Sequence, residues 1–356
     1  MIGPDRGMKG GIASVVNGYF DAGLDNLCDL RYIGTMVEGN KARKLAKAVS
    51  ALAEFEHALP NCDLVHVHMA SRGSYERKRR FIAHAKRMGK PYVIHMHGGK
   101  WDEFFSGCSD GKRREIRSVF ASAARVIVLS EEWQDFFEKN VCEPSKLVVL
   151  HNAVRIPDES ALSGIGSCSR QDVLFLGRLD ARKSPDVLLR AFVDIAHRHP
   201  KVMVRLGGDG DIERYRKLAE ELGIVSNCEF LGWVGDAEKE RLFAKSGIYC
   251  LPSKNEGMPM SVLEAMAHGL ATIATPVGGV PQIIDNTVDG ILIPVDETKY
   301  LADSLMQLIE NDAYRKSIGM HGRLKVVSRF NIDHCVSSLR NIYNDIQIKQ
   351  GKIICK

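Results

Sequence analysis

The sequence predicts an α/β protein of two Rossmann-like halves, each a parallel sheet covered by helices, with a helical tail. Three observations carry this. Short apolar runs alternate with helical periodicity along most of the chain, the pattern of a parallel sheet covered on both faces. The alternation stops once, from His151 to Asp172, where Pro, Gly and Ser gather as they do in an interdomain linker. The length, 356 residues, exceeds one typical domain and makes two the natural count. The expected domains are therefore 1–152 and 153–330.

Composition narrows the class. Apolar content of 45% and charged content of 26% are those of an ordinary globular protein. A net charge of +5 does not call for nucleic acid, although a local basic cluster can still matter. The nine Cys show no Cys-x-x-Cys pair and no zinc spacing, which fits reduced thiols in a cytosolic protein. No apolar run approaches about 18 residues and no signal peptide is evident, so a cytoplasmic location is expected.

In chain order, the start reads as the tail of a strand, a glycine loop at Gly10-Gly11, and a helix through Ile12, Val15, Val16, Tyr19 and Phe20. The first strand is either nearly absent or begins upstream of Met1. Cys28–Ile33 reads as a strand, Asn40–Leu59 as a helix, Asp63–His68 as a strand and Tyr75–Met88 as a basic helix. Pro91–Met96, Arg125–Leu129 and Lys146–Leu150 are strands, with a helix over Glu131–Asn140. After the linker, strands are expected at Val173–Leu176, Val202–Leu206, Cys228–Leu231, Ile248–Leu251, Ala271–Ala274 and Ile291–Ile293. Helices are expected at 184–198, 211–222, 236–245, 260–268 and 297–310, and through most of 312–350.

The stretch richest in chemistry runs from Ser253 to Gly269. Pro252 ends a buried strand, Gly257 allows a tight turn, and Pro259 suits the first turn of an apolar helix that Gly269 terminates. Two carboxylates, Glu256 and Glu264, bracket that helix start. Carboxylates repel phosphate, so they read as acceptors for sugar and ribose hydroxyls, while the helix N-terminus attracts phosphate. The bland reading is a capping Glu and a surface Glu; two of them around one apolar helix start favour a site.

Other constellations support it. In Gly177-Arg-Leu-Asp-Ala-Arg-Lys183, Arg178 offers a guanidinium fork and Lys183 a point charge to phosphate oxygens, followed by Ser184 as an expected N-cap. Leu206-Gly-Gly-Asp-Gly210 suits backbone contact with a nucleotide but lacks the dinucleotide fingerprint, and Asp209 and Asp211 read as helix caps rather than metal ligands. Of His66, His68, His95 and His97, strand alternation places His66 with His68 on one face and His95 with His97 on one face. His97, last before a Gly turn, belongs in a cleft; the others read as structural, with no spacing that supports a zinc site. Arg72, Arg77 and Lys78 begin a basic run. It is either a solvated helix face or a contact for anionic lipid or an acceptor pyrophosphate.

Together these residues resemble the retaining glycosyltransferases of family 4, which have the GT-B fold. Glu256 and Glu264 match the family's Glu, seven residues, Glu signature. The Gly-Gly loop, His-Gly turn, Gly-Arg-Leu…Lys segment and Gly-Asp-Gly turn follow in the family's order. The resemblance implies two sheets facing across a cleft, with the tail from about 331 to 356 crossing back to the first domain. It implies that the first domain holds the acceptor and the second the donor. It implies a hexosyl-type enzyme with a nucleotide sugar as substrate, no cofactor and no metal. By position, Glu256 would hold donor-sugar hydroxyls, and Gly257, Met258 and Pro259 would wrap the sugar phosphate. Glu264 would accept from the ribose. Arg178 and Lys183 would bind the diphosphate, Gly208 and Trp233 would meet the nucleotide, and Gly11 would approach the diphosphate. His97 would sit by the reacting sugar and Arg72, Arg77 and Lys78 by the acceptor. Val67–Lys78 and His95-Met-His-Gly resemble bacterial polysaccharide-assembly enzymes. These imply a lipid-linked or oligosaccharide acceptor, with a peripheral contact at the inner face of the plasma membrane. Two other readings stay open. One is a GT-B enzyme using a sugar phosphate, with Arg72 and Arg77 forming a second phosphate pocket. The other is a truncated, inactive nucleotide-sugar-binding homologue.

Overall fold

A computed structural model describes residues 1–158 and 170–349. Two compact units emerge, divided between Ala153 and Val154 and again between Asn331 and Ile332. Half of the expected linker, 159–169, and the end of the expected tail, 350–356, lie outside the described residues.

The first unit contains a six-stranded sheet in the order β2-β1-β3-β4-β5-β6. Its strands are β1 Ile2–Gly3, β2 Ile33–Gly34, β3 Val65–Met69, β4 Tyr92–Met96, β5 Arg125–Val128 and β6 Leu147–Val149. Each pairs in parallel with its neighbours. The first strand is present and lies second from the edge, but it is two residues long. That limits β2, expected over Cys28–Ile33, to the same length. Ile33 donates to the Met1 carbonyl and Thr35 to the Gly3 carbonyl, and the next residue, Pro4, has no N–H to continue a ladder.

Helices follow the polar signals. Asn40 caps Lys41–Ala58 by accepting from the Arg43 N–H at 2.9 Å, and Ser130 caps Glu131–Asn140 by accepting from Trp133. Two helices in this unit, Trp101–Ser106 and Asp110–Ala121, were not among the expected elements. Their signals are the Ser109 cap and the i, i+4 pairs Trp101/Phe105 and Ile116/Phe120, all buried in the core. The tail helix Ile332–Lys349 belongs to this unit and packs on the helices Gly11–Asp21 and Leu24–Leu27. Among the described residues no helix is long and apolar enough to cross a membrane.

The second unit contains a parallel sheet in the order β12-β11-β10-β7-β8-β9. These strands are β7 Val173–Leu176, β8 Val204–Gly207, β9 Cys228–Gly232, β10 Ile248–Leu251, β11 Ala271–Ala274 and β12 Ile291–Leu292. The helix expected over 184–198 breaks at Phe192 into Pro185–Ala191 and Val193–Arg198. Ser184 precedes it at φ 50° but does not cap it, because its hydroxyl donates to the Ala181 carbonyl. Because the strands run in parallel, the loops after β7, β8, β9 and β10 all leave the same edge of the sheet, where ligands of such folds bind.

Candidate functional sites

In the second unit the expected donor residues gather on that carboxyl edge. The β7 loop and the β10 loop are tied by backbone, with Lys254 N–H donating to Arg182 O at 2.8 Å. Glu256 is 7% exposed and accepts from Lys183 Nζ at 2.5 Å, with Arg182 Nη1 at 3.9 Å. Lys183 therefore reaches any diphosphate with a carboxylate already beside it. Arg178 is more open, 3.7 Å from Asp180 and 3.5 Å from Asp209. Asp211 caps the helix Ile212–Glu221 by accepting from Arg214 N–H.

The helix Met260–Ala267 starts after Pro259, which occupies the N-cap position rather than the first helical one. A proline cap offers no side-chain acceptor, so the first-turn N–H groups stay open to a ligand. Met258 is buried. Gly257 is clasped by the next loop, its carbonyl accepting from Gly279 N–H at 2.5 Å. A Cβ at Gly278 would lie 2.1 Å from the Glu256 carbonyl, so glycine is required there and Glu256 is held from behind. Glu264 accepts from Lys239 Nζ at 2.9 Å. Burial works against the Lys239 charge, but Glu264 and Asp236 outweigh it and raise its pKa. Arg182 stood within the Gly177–Lys183 segment without being singled out, and Lys239 sits in no recognisable motif; only packing brings them to the glutamates.

Gly208, at φ 148°, has a structural duty. A Cβ there would lie 1.8 Å from the Gly177 carbonyl, so glycine is needed for the two loops to touch. Trp233 follows β9 at the same edge with its ring exposed.

In the first unit the four histidines form one stack rather than two separate pairs. The β3–β4 register sets His68 opposite His95, so all four rings share a face. His97 stacks on His95 with centroids 4.2 Å apart, and its Nε2 lies 2.8 Å from His68 Nδ1. His66 bridges His95 at 3.2 Å and the Tyr343 hydroxyl at 2.6 Å. Burial lowers all four, His97 to about 3 and the others well below 6.5, so each ring is neutral near pH 7. His97, partly exposed at the end of β4, has one nitrogen held by His68. His66, His68 and His95 each bring a ring nitrogen within 4.8 Å of the others, the arrangement that comes nearest to a metal cluster among the described residues. A metal there would have to displace the His66–His95 contact.

The basic run divides. Arg72, at φ 54°, is exposed and 3.7 Å from Glu103. Lys78, expected on a solvated face or at an exposed contact, is instead 2% exposed, because its stem packs inward beneath the end of β2 and its ammonium donates to Thr35 Oγ1 at 2.6 Å. Arg77 and Lys78 line a cavity of about 220 Å³ with Gly10, Gly11 and Thr35; Arg72 does not line it.

Two Rossmann-like units with a glutamate-bracketed helix start at the carboxyl edge of the second define the GT-B class of glycosyltransferases. The chain matches the Glycosyl transferases group 1 family over residues 169–325 and the Glycosyl transferase 4-like domain over residues 25–153, and it belongs to that glycosyltransferase family. It is 31% identical over 216 residues to the phosphatidyl-myo-inositol mannosyltransferase of Mycobacterium tuberculosis, covering 57% of this chain and 56% of that protein. It is 31% identical over 180 residues to the D-inositol 3-phosphate glycosyltransferase of Corynebacterium jeikeium, covering 48% and 43%. The chain thus spans about half the length of these curated relatives. In fold it is similar to Anabaena Alr3699/HepE in complex with UDP, with TM-score 0.77, 18% identity, and coverage of 97% of this chain and 98% of that one.

Proposed function

We propose that this protein is a retaining, hexosyl-type glycosyltransferase that uses a nucleoside diphosphate sugar. Its acceptor is a polyprenyl-diphosphate-linked glycan in surface or capsular polysaccharide synthesis, met at the inner face of the plasma membrane. The observation that carries the reading is the pair Glu256 and Glu264 around the open start of Met260–Ala267, each held by a lysine. In this role Glu256 accepts from donor-sugar hydroxyls and Glu264 from the ribose. The helix start and Arg178 receive the charge that grows on the departing diphosphate. The bond from the anomeric carbon to the diphosphate oxygen breaks, the acceptor oxygen bonds to that carbon on the same face, and the hydroxyl proton leaves with the diphosphate. His97, neutral at pH 7, serves the reacting sugar as a hydrogen-bond partner rather than a cation. Cations of the chain do the work that a metal does elsewhere, so no metal is required.

The matched relatives are named for inositol acceptors, both of them phosphate esters, so the acceptor class is open to direct test. A thermal-shift screen with UDP-, GDP- and ADP-sugars tests the donor half. Ligand at about 100 Kd adds about 2.7 kcal/mol to the stability of the folded state and raises the melting temperature. Failure of every nucleotide sugar to bind would sink the reading. His97→Ala should leave that shift intact and cut turnover; equal loss of both would remove His97 from its role.

A further inference from the structure

We propose that His68 is a positioning residue for His97. It donates its Nδ1–H to His97 Nε2 and so fixes His97 in the tautomer that carries its proton on Nδ1, which offers the substrate a hydrogen-bond donor and not a base. That the substrate is a nucleotide sugar rests on the glycosyltransferase reading above; the tautomer does not.

The sheet makes the two rings neighbours. His68 lies opposite His95 in the β3–β4 register, and His97 follows at the end of β4. His68 is fully buried, whereas His97 is partly exposed. His68 Nδ1 lies 2.8 Å from His97 Nε2, and burial keeps both rings neutral. A neutral imidazole has one N–H and one lone pair, so a single proton lies between the rings, on one nitrogen or the other.

The far nitrogen of His68 decides which. Its Nε2 is buried and has no partner among the described residues. If the shared proton sat on His97, His68 would carry its own proton on Nε2, as a buried N–H with nothing to accept it. With the proton on His68 Nδ1, Nε2 is a bare lone pair. Folded chains tolerate an unmet acceptor more often than an unmet N–H. The same rule orders the other pair. His95 Nε2 is also unpartnered, and a proton on His95 Nδ1 is donated to His66 Nε2 at 3.2 Å. His66 then donates its own Nδ1–H to the Tyr343 hydroxyl. One tautomer therefore serves the whole stack, and no two N–H groups collide.

Packing alone does not call for histidine at position 68. A phenyl ring fills a stack and leaves no polar atom unmet. The one hydrogen bond that this imidazole makes among the described residues is the bond to His97. That bond completes the fixing of His97, whose backbone N–H donates to the Met69 carbonyl at 2.7 Å and whose ring stacks on His95. Nδ1 is the nitrogen left for a ligand. Which ring nitrogen carries the proton is set by the bond that the other makes. As an N–H it donates to a substrate oxygen and cannot take a proton from one.

The test is nuclear magnetic resonance of the full chain carrying nitrogen-15 histidine, where long-range correlations separate protonated from bare ring nitrogens. The His97 signals are those lost in His97→Gln. Wild type should show His97 protonated on Nδ1 and bare on Nε2. His68→Phe, which keeps a ring in the stack, should give a mixture of the two tautomers. His68→Asn, which places an amide donor near the old Nδ1, should restore the wild-type pattern. Turnover is read as nucleoside diphosphate released from UDP-glucose, or from GDP-mannose where UDP-glucose does not bind. In His68→Phe kcat should fall about five- to tenfold, the scale of one neutral hydrogen bond, with donor KM within about twofold. His68→Asn should recover most of it. A wild-type His97 protonated on Nε2 overturns the proposal without any variant. So does an unchanged tautomer in His68→Phe, or a loss of kcat that comes with a lowered melting temperature and is not rescued by His68→Asn. If the tautomer behaves as stated but no nucleotide sugar binds the wild-type chain, the fixed tautomer stands and the glycosyltransferase reading falls.

Discussion

The two units place polar groups at the carboxyl edge of a parallel sheet in opposite electrostatic states. The second unit pairs its acids: buried Glu256 with Lys183, and partly exposed Glu264 with Lys239. The first unit keeps its imidazoles neutral in a stack and leaves Arg77 and Lys78 without counter-ions among the described residues. The contrast separates two ways a site can be prepared. A paired carboxylate is a fixed acceptor, oriented for hydroxyl groups. An unpaired buried cation is an electrostatic debt that a bound anion relieves, and its cost to the free protein is retained as affinity.

The largest expected effect tests the paired side. Lys183→Met leaves the buried Glu256 carboxylate with only the longer Arg182 contact at 3.9 Å, and stability should fall by up to about 3 kcal/mol, the low end of the cost of breaking a buried pair. The double variant Lys183→Met/Glu256→Gln should recover most of it in urea unfolding followed by circular dichroism. A single variant no weaker than the double would break the comparison.

Acid should strike the first unit next. His66, His68 and His95 sit well below 6.5 and His97 at about 3, in each case from burial. Between these values and 6.5 the unfolded chain binds more protons than the folded one, so stability rises with pH across that window. It is lost as pH falls below 6.5. Trp101 is buried in the first unit and reports on it: its fluorescence should change at a higher pH in the wild type than in a His66→Phe/His95→Phe variant.

Lys78→Met should act with the sign opposite to Lys183→Met, raising stability by up to about 2 kcal/mol, since it removes a buried charge that no acid offsets. A fall of that size in the melting experiment would mean that Lys78 is paired in solution. Glu264→Gln should change stability by less than about 1 kcal/mol, because its lysine is partly exposed. It should weaken nucleotide binding about tenfold by calorimetry, since a charged acceptor is exchanged for a neutral one. Chelation should have the smallest effect of all: turnover with EDTA present should match turnover without it.

Much of the fold was legible because alternation of short apolar runs with helical patterns is a local signal. The six strands of the second unit all lie within a few residues of their expected places. Where local signals thin, the reading thinned. Trp101–Ser106 and Asp110–Ala121 are short helices whose apolar spacing is covered by charged neighbours. The strand at Ile33 lost residues that look apolar because its partner strand is two residues long.

By itself the sequence determined the two-unit α/β class and the Glu256–Glu264 bracket, because strand period, helix period and a seven-residue spacing are properties of contiguous chain. Only tertiary structure decided the partners. Lys183 lies 73 residues from Glu256 and meets it across β7 and β10. Lys239 meets Glu264 from a separate helix, and four histidines become one stack through the register of β3 and β4. It also turned a basic run inward, so that Lys78, expected near the surface, is buried beneath a helix start 67 residues earlier. Charge is written in the sequence, but whether a charge is solvated, paired or stranded depends on what the fold packs against it.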